Sequence, residues 1–298
     1  MVESLSIVGA GRVGRALGRR LHELGWKMGV VCARSESSAR KAVRFIGAGK
    51  PQTGLSVQVL ASKVVLLTVP DDAIAAVAGE LARIGGDEWR GRIVLHTSGA
   101  LDSTVLSPLK ACGAAVGSMH PLQSFSGVRI PPLQGRVFGI EGDEPAVRVA
   151  RSIARALEGT PVKLTAEKKA LYHAAGAFAA GHVLAMEEAG VQLLMNVGMK
   201  RAAATKALLS LSRQVLDNYE TVGPHYAWTG PLSRGDYGVV ASHDRALQDN
   251  RPEFREAYQS VSRLAAQVLS QETETMLKKL ETISERVQVS QKQKGDEA

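Results

Sequence analysis

Cysteine and aromatic residues are both scarce in this chain of 298 residues. The two cysteines, Cys32 and Cys112, fall in separate predicted elements and have no metal-ligand spacing, which excludes a disulfide framework and favours a reducing compartment. Phe, Trp and Tyr make up only 4% of the residues, so the core has to consist mainly of Ala, Val and Leu. We therefore expect a cytoplasmic globular protein with closely packed helices.

Long apolar runs are missing as well. The most apolar stretch, residues 174–186, contains His182 and runs into Glu187 and Glu188, so it is too short and too polar at its end to span a bilayer. The first residues enter a predicted strand at once, without a charged leader region or a cleavage site. We expect neither a membrane partner nor export.

Acidic residues are in deficit in the first half of the chain only. Residues 1–164 contain 21 Lys and Arg against 13 Asp and Glu, whereas residues 165–298 contain 16 of each, which leaves a net charge of +8. No RNA- or DNA-binding motif accompanies the basic residues, and few aromatic residues are interleaved with them. The charge therefore favours a phosphate-bearing small molecule, and nucleic acid is a minor alternative.

Short apolar runs alternate with amphipathic helical patterns in the first half, which is typical of a parallel α/β sheet. The predicted strands are residues 5–8, 27–33, 64–69, 93–96, 115–118, 137–140 and 162–164, with a weaker candidate at 57–60. From Thr165 onwards only helical patterns remain. The sequence thus predicts an α/β Rossmann domain with a doubly wound sheet over residues 1–164, an all-α domain over 165–285 and a disordered tail over 286–298.

A glycine-rich motif follows the first predicted strand and opens a helix. Gly9 permits the tight turn, Gly11 lets the backbone approach a pyrophosphate, and Gly14 allows the helix to lie close to the sheet. Arg12 and Val13 lie at the helix N-terminus, which faces the phosphates. Because a strand precedes the motif and a second strand follows on schedule, it predicts dinucleotide binding. The alternative is a glycine-rich turn in a degenerate Rossmann fold.

The end of the second strand indicates which dinucleotide is bound. Arg34 stands where NAD enzymes carry an acidic residue for the ribose hydroxyls, and Ser35 follows it. An acid would repel a 2′-phosphate, whereas a guanidinium and a hydroxyl bind one. We therefore predict NADP as the cofactor; the alternative is that Arg34 is a solvated arginine at a strand end.

In this fold, ligands lie across the carboxyl ends of the strands. Val69 and Pro70 end one central strand and Thr97 follows the next, so all three are expected beside the nicotinamide. Asp71 and Asp72 come directly afterwards and are interpreted as helix caps.

Two polar loops are expected over the cofactor. Ser98 is a candidate hydrogen-bond partner, and His120 is the candidate proton acceptor. The alternative gives His96 and His120 structural roles, with His96 the better candidate for a core histidine because it closes its strand.

The helical half offers two further candidates. His173 follows Tyr172 directly, and adjacent residues point about 100° apart on a helix, so the two are not expected to face one site squarely. Arg234 lies in a loop rich in Gly and Pro and is a candidate anion anchor. The alternative is an ion pair between Arg234 and Asp236 that holds the loop.

The motifs GxGxxG, VPDDAI, HTSGAL, SMHPLQSF, YHAAGAFAAGH and TGPLSRGD together resemble a bacterial family of Rossmann-like proteins with a C-terminal domain of unknown function. That family is grouped with NADP-dependent oxidoreductases, and the resemblance covers nearly the whole chain. The architecture is also similar to pyrroline-5-carboxylate reductases, β-hydroxyacid dehydrogenases and prephenate dehydrogenases. Ser98 and His120 match the positions of a serine and a histidine that act on substrate in prephenate dehydrogenases.

One departure from these families concerns the lysine–asparagine pair of the β-hydroxyacid dehydrogenases. Gly181 and His182 stand where its asparagine is expected, which argues against simple 3-hydroxyacid chemistry. We therefore predict an NADP(H)-dependent oxidoreductase acting on a small polar substrate between two domains. His120 is its predicted acid/base, Ser98 and His173 are supporting polar groups, and Arg234 is the anion anchor. We expect the all-α domain to form a homodimer. The alternative is a non-catalytic protein that binds or senses NADP.

Overall fold

The first part of the chain forms a single eight-stranded sheet. The structure is a computed structural model that describes the backbone of residues 4–296 and the side chains up to Glu285. The strands are β1 Ser4–Val8, β2 Lys27–Ala33, β3 Lys50–Thr53, β4 Val64–Leu67, β5 Ile93–His96, β6 Ala115–Pro121, β7 Val137–Gly142 and β8 Thr160–Lys163. Their order is β3-β2-β1-β4-β5-β6-β7-β8, and every neighbouring pair is parallel except β6 and β7. The order reverses between β1 and β4, which is the topology of a dinucleotide-binding sheet.

Helices cover both faces of this sheet. They are α1 Arg12–Glu23, α2 Glu36–Ile46, α3 Asp71–Gly85, α4 Ser107–Ala111, α5 Glu144–Ala156 and α6 Lys169–Ala177. One face packs Leu5 and Ile7 against the apolar side chains of α1, α2 and α5. The other packs Val8 and Leu67 against α3 and α4. Successive strand residues thus point to opposite layers, as expected for a parallel sheet buried on both sides, and the predicted doubly wound fold is confirmed.

Two strand assignments differ from the prediction. The weaker strand candidate, residues 57–60, was wrong: this segment belongs to a 3₁₀-helix, Val57–Ala61, whose Val59 and Leu60 are buried beneath the sheet. The outermost strand is instead the polar segment Lys50–Thr53, which pairs only with β2. Pro51 is tolerated there because an edge strand does not need every N–H for pairing.

Strand β7 runs antiparallel to β6, which the parallel pattern did not predict. The chain between the two strands, residues 122–136, contains no helix. A parallel return would need a crossover element of that kind, so the chain reverses directly.

The chain forms two compact units, Met1–His182 and Val183–Ala298. The first includes the sheet, α6 and a π-helical turn at Phe178–His182. In the second, the described residues form helices α7 Val183–Asn196, α8 Arg201–Ala227, α9 Tyr237–Gln248, α10 Pro252–Leu269 and α11 Thr273–Asp296, without any strand. The all-α character predicted for the second half is confirmed. Within it, Val240, Ala266, Met276 and Leu280 form a small buried core.

The last helix extends into the segment for which the composition predicts disorder. Helix α11 continues to Asp296, so the prediction of a disordered tail from residue 286 does not match its backbone, and residues 297–298 lie outside the described residues. Between residues 4 and 296, no helix has the length and apolar character needed to cross a membrane.

Candidate functional site

The glycine motif forms the close junction between β1, α1 and β4 that a dinucleotide requires. Gly9 has φ +94°, and a Cβ there would lie 2.7 Å from the backbone nitrogen of Val69. A Cβ on Gly14 would lie 2.8 Å from the carbonyl oxygen of Gly9. Helix α1 starts at Arg12, and no described side chain caps it. Its first N–H groups are therefore available to a phosphate, in keeping with the role predicted for Gly11, Arg12 and Val13.

Hydrogen bonds hold the glycine loop against the end of β2, and Arg34 follows this strand. The backbone nitrogens of Gly9 and Ala10 each donate to the carbonyl oxygen of Cys32 at 3.1 Å. Arg34 lies two residues further on, is exposed, and forms no ion pair within the described part of the chain. Its guanidinium is thus free to bind an anion beside the glycine loop, as a 2′-phosphate site requires.

Ser35 already has a structural partner. Its hydroxyl accepts a hydrogen bond from the Ser38 nitrogen at 3.3 Å, which caps α2, and donates to Ser38 Oγ at 2.9 Å. Its second lone pair can still accept, so a role for Ser35 at a phosphate stays a prediction.

The ends of β1, β4 and β5 are aligned at one edge of the sheet. The nitrogen of Thr68 donates to Val8 O at 2.8 Å, and the nitrogen of Thr97 donates to Leu67 O at 3.2 Å. Val69, Pro70 and Thr97 consequently follow these strands at the edge that carries the glycine loop. Their contact with the nicotinamide stays a prediction.

Asp71 does not cap α3. The N-cap residue is Pro70, and no side chain of the described residues caps this helix, so the interpretation of Asp71 and Asp72 as caps was wrong. Instead, Asp71 Oδ2 accepts a hydrogen bond from Ser98 Oγ at 2.7 Å. The first residue of α3 thus contributes a carboxylate to the loop after β5.

The hydroxyl of Ser98 is fully engaged in holding its own loop. Besides donating to Asp71, it accepts hydrogen bonds from the nitrogens of Ala100 and Leu101 at 3.2 and 3.0 Å. A hydroxyl has one proton and two lone pairs, so all three positions are occupied. The structure gives Ser98 an organising role, and its contact with substrate stays a prediction.

His96 is a core histidine, as the alternative reading of the sequence proposed. Its ring is completely buried, with Nε2 3.1 Å from Asp102 O and Nδ1 accepting from the Ser98 nitrogen at 3.2 Å. Burial, reinforced by the nearby Lys169 charge, lowers the pKa of His96 to about 4. The ring is therefore neutral at pH 7 and supports the β5 loop.

His120 lies at the end of β6 in contact with two residues of α6. The phenol of Tyr172 donates to the carbonyl oxygen of His120 at 3.1 Å and lies 3.3 Å from His120 Nδ1. Because the phenol proton is used on the carbonyl, the second contact requires a proton on Nδ1, and the lone pair of the neutral ring is then on Nε2. Burial, with smaller contributions from His173 and Lys169, lowers the pKa of His120 to about 4. His120 is thus an unprotonated acceptor at neutral pH.

Tyr172 and His173 both reach this ring, contrary to the expectation that they could not share a site. The ring centroids of His120 and His173 are 5.5 Å apart, and those of His120 and Tyr172 are also 5.5 Å apart. His120 lies between the two side chains, so a separation of about 100° on the helix brings both against it. His173 itself is exposed.

Lys169 is the principal residue of this cluster to which the sequence analysis assigned no role. It is 1% exposed, and its Nζ donates to Ser98 O at 2.9 Å and to Ser118 Oγ at 2.6 Å. Burial lowers the pKa of Lys169 to about 8, although Glu141, Asp102 and Asp71 oppose that change. One signal could have revealed it: Lys169, Tyr172, His173 and Gly176 recur at helical spacing and therefore share one face of α6.

Arg234 is found in the second unit, where its guanidinium forms an ion pair with Asp236 at 2.9 Å. This is the pairing that the sequence offered as the alternative to an anion anchor. Among the residues with described side chains, no three His, Cys, Asp or Glu gather as a metal site would require.

Family models match two consecutive parts of the chain. Residues 2–121 match the model described as a Rossmann-like domain, and residues 136–265 match the domain of unknown function DUF2520. The chain therefore combines a Rossmann-like domain with a DUF2520 domain, which confirms the resemblance drawn from its motifs. A search of curated protein sequences finds no match.

Solved structures share this fold over almost their full length. A Bacteroides fragilis protein described as an NADP oxidoreductase is 22% identical, with a TM-score of 0.72 over 88% of this chain and 96% of its own. Protein TM1727 from Thermotoga maritima is 26% identical, with a TM-score of 0.65 over 91% and 98%. A reductive aminase from Aspergillus terreus, in complex with NADPH and ethyl-5-oxohexanoate, is 17% identical, with a TM-score of 0.67 over 90% and 94%.

Proposed function

We propose that this protein is an NADP(H)-dependent oxidoreductase that transfers hydride to or from a small polar substrate. The observation that carries the proposal is that two sets of residues lie at the carboxyl ends of the strands. The glycine loop and Arg34 lie at the ends of β1 and β2, and the His120 cluster lies at the ends of β5 and β6. A dinucleotide lying across the strand ends, as in other sheets of this topology, extends from the first group towards the second. The solved structures named above, one holding NADPH, support this choice.

The residues present fit NADP(H). Gly9 and Gly14 leave room where any Cβ would collide with backbone, no described side chain caps α1, and Arg34 beyond β2 forms no ion pair among the residues with described side chains. These features provide a turn, a pyrophosphate site and a 2′-phosphate site in the order along the sheet that the cofactor needs. When bound, the nicotinamide supplies or accepts the hydride.

His120 would manage the proton that accompanies hydride transfer. Its neutral ring carries a lone pair on Nε2, so it accepts a proton from a hydroxyl or ammonium substrate during oxidation. In the reverse direction the proton returns along the same hydrogen bond. Tyr172 fixes the tautomer, and His173 covers the ring from the exposed side. Ser98 and Asp71 hold the facing loop.

NADPH oxidation in the presence of imines, keto acids and other carbonyl compounds tests the activity. With any substrate that is turned over, His120→Ala should lower kcat by about 10²–10⁴, the range for a positioned proton-transfer group, while the Kd for NADPH stays nearly unchanged. Ser98→Ala should cost less. If His120→Ala instead lowers thermal stability and NADPH affinity together and leaves the remaining turnover normal, His120 only supports its loop. A protein that binds NADPH but turns over none of these compounds would favour the sensing alternative.

A further inference from the structure

A lysine whose charged end is completely enclosed by protein needs a specific reason to be there, because burying an ammonium group is costly unless it is paired. Lys169 is 1% exposed and donates to one backbone oxygen, Ser98 O, and to one hydroxyl, Ser118 Oγ. No carboxylate of the described residues lies within ion-pair distance of it. Its acceptors belong to two segments that are far apart in sequence.

Each of these segments carries part of the candidate site. Ser98 lies in the loop after β5, next to Gly99, whose backbone approaches the rings of His120 and His173. Ser118 lies in β6, two residues before His120, and has no exposed surface. Lys169 itself lies in α6, one turn before Tyr172 and His173. A single ammonium group therefore joins the three segments whose relative positions define the surroundings of His120.

We propose that Lys169 is a positioning residue: its buried ammonium group holds the loop after β5, strand β6 and helix α6 in the arrangement that places His120 between Tyr172 and His173. The proposal rests on the function proposed above only for its consequence for turnover. Lys169 is not assigned a catalytic role, because its charged end has no exposed surface through which to touch a substrate.

Charged and titratable groups surround Lys169 from every element packed against it. Glu141 of β7 accepts from Ser103 Oγ at 2.6 Å and lies 3.5 Å from Ser118 Oγ, which places a carboxylate behind the hydroxyl that Lys169 binds. Asp102 and Asp71 are the other carboxylates that favour the ammonium form. His96 of β5 and His120 of β6 are the titratable rings nearby; burial lowers the pKa of both, and the Lys169 charge adds to that lowering. Lys169 thus acts on His120 through its charge as well as through geometry.

Histidine titration by NMR on the full-length protein tests the proposal without any need for turnover. In Lys169→Met, the pKa of His120 should rise by at least about half a unit, or roughly threefold in proton affinity, because a nearby cation is lost and the loop can admit water. Lys168→Met is the matched control, since Lys168 is the exposed residue directly before helix α6 and should leave the titration unchanged. A folded Lys169→Met protein with the His120 titration of the native protein would overturn the proposal.

A second measurement covers the case in which Lys169→Met does not fold. In native protein labelled with ¹³C at lysine Cε, one lysine signal should titrate near pH 8, and Ser118→Ala should lower that midpoint by removing an acceptor 2.6 Å from Nζ. The signals of His120 should move in the same variant. If all lysines titrate in the ordinary range, or if Ser118→Ala changes neither set of signals, Lys169 does not hold the cluster. Both titrations can succeed in a protein without reductase activity, so failure here is distinguishable from failure of the proposed function.

Discussion

Gly99 offers a stringent test of the His120 cluster because it is the point where backbone and two imidazole rings meet. It is buried in the loop after β5, and a Cβ built on it would lie 2.5 Å from Cδ2 of His173 and 2.9 Å from Nε2 of His120. Ordinary contacts of a Cβ atom begin at 3.4 Å. In Gly99→Ala the rings of His173 and His120 must therefore move away by roughly 0.5–1 Å. A displacement of about 1 Å in a reacting group lowers the rate about 10²-fold.

The two rings differ in how easily they can move. His173 is exposed and can turn towards solvent, whereas His120 is half-buried and hydrogen-bonded to Tyr172. The stability cost should therefore be at the lower end of the range for overpacking, about 1–2 kcal/mol. The loss should fall mainly on turnover, since the position of His120 Nε2 changes while the glycine loop and Arg34 do not.

Three measurements on Gly99→Ala decide the matter: kcat with a substrate that is turned over, the Kd for NADPH by calorimetry, and the NMR shifts of His120. We expect kcat to fall by about 10²-fold, the Kd to stay within about twofold, and the His120 signals to move. Gly79→Ala is the matched control, because Gly79 lies within α3 and an added Cβ there has no neighbour within 4 Å. That variant should be slightly more stable and equally active. Native kcat together with native His120 shifts in Gly99→Ala would refute the described packing.

Three further predictions concern cofactor, assembly and pH. NADPH should bind at least about tenfold more tightly than NADH, worth roughly 1.4 kcal/mol, and Arg34→Asp should abolish or reverse this preference; equal calorimetric affinities in the native protein would contradict it. The protein should be a homodimer through residues 165–285, because Leu184, Leu211 and Leu216 of α7 and α8 are 61–70% exposed in the single chain; light scattering that gives the 31.7 kDa monomer mass would exclude this. Because the folded-state pKa of His96 lies near 4, below its unfolded value of about 6.5, the free energy of unfolding should fall as the pH drops from 6.5 towards 4, by roughly 3 kcal/mol for His96 and by a further amount for His120, whose pKa is also about 4; a free energy that stays flat in denaturant titrations would contradict this.

The central part of the fold was predictable because several signals agreed there. Strand β1, the glycine motif and α1 follow each other without a gap, and the apolar runs of β4 and β5 are buried on both faces. The outermost strand, β3, was less predictable. Lys50–Thr53 is polar and contains Pro51, so it lacks the composition of a strand, and it pairs only because β2 presents an open edge. Val57–Ala61 has that composition but folds as a 3₁₀-helix.

The site was predicted in part for a similar reason. Residues at or just after the ends of strands, such as His120 and Arg34, could be placed because the carboxyl ends of parallel strands lie at one side of the sheet. Lys169 could not be placed in this way, since lysine is almost always exposed and its partners are a backbone oxygen and a hydroxyl; only its helical spacing to Tyr172 and His173 pointed to it. Ser98 was found, but three local hydrogen bonds occupy its hydroxyl, and their existence depends on the exact turn of the loop.

The boundary at which the class of secondary structure changes is not the boundary at which the site ends. The last strand closes at Lys163, yet the compact unit that contains the sheet continues to His182. The residues in between include α6, which brings an ammonium group, a phenol and an imidazole to the sheet from one helix face. Because these side chains are spaced at i, i+3 and i+4, one placement of the helix positions all three together. Helix α6 therefore belongs functionally with the Rossmann sheet: the low pKa of His120, the packing against Gly99 and the burial of Lys169 all follow from where this helix lies.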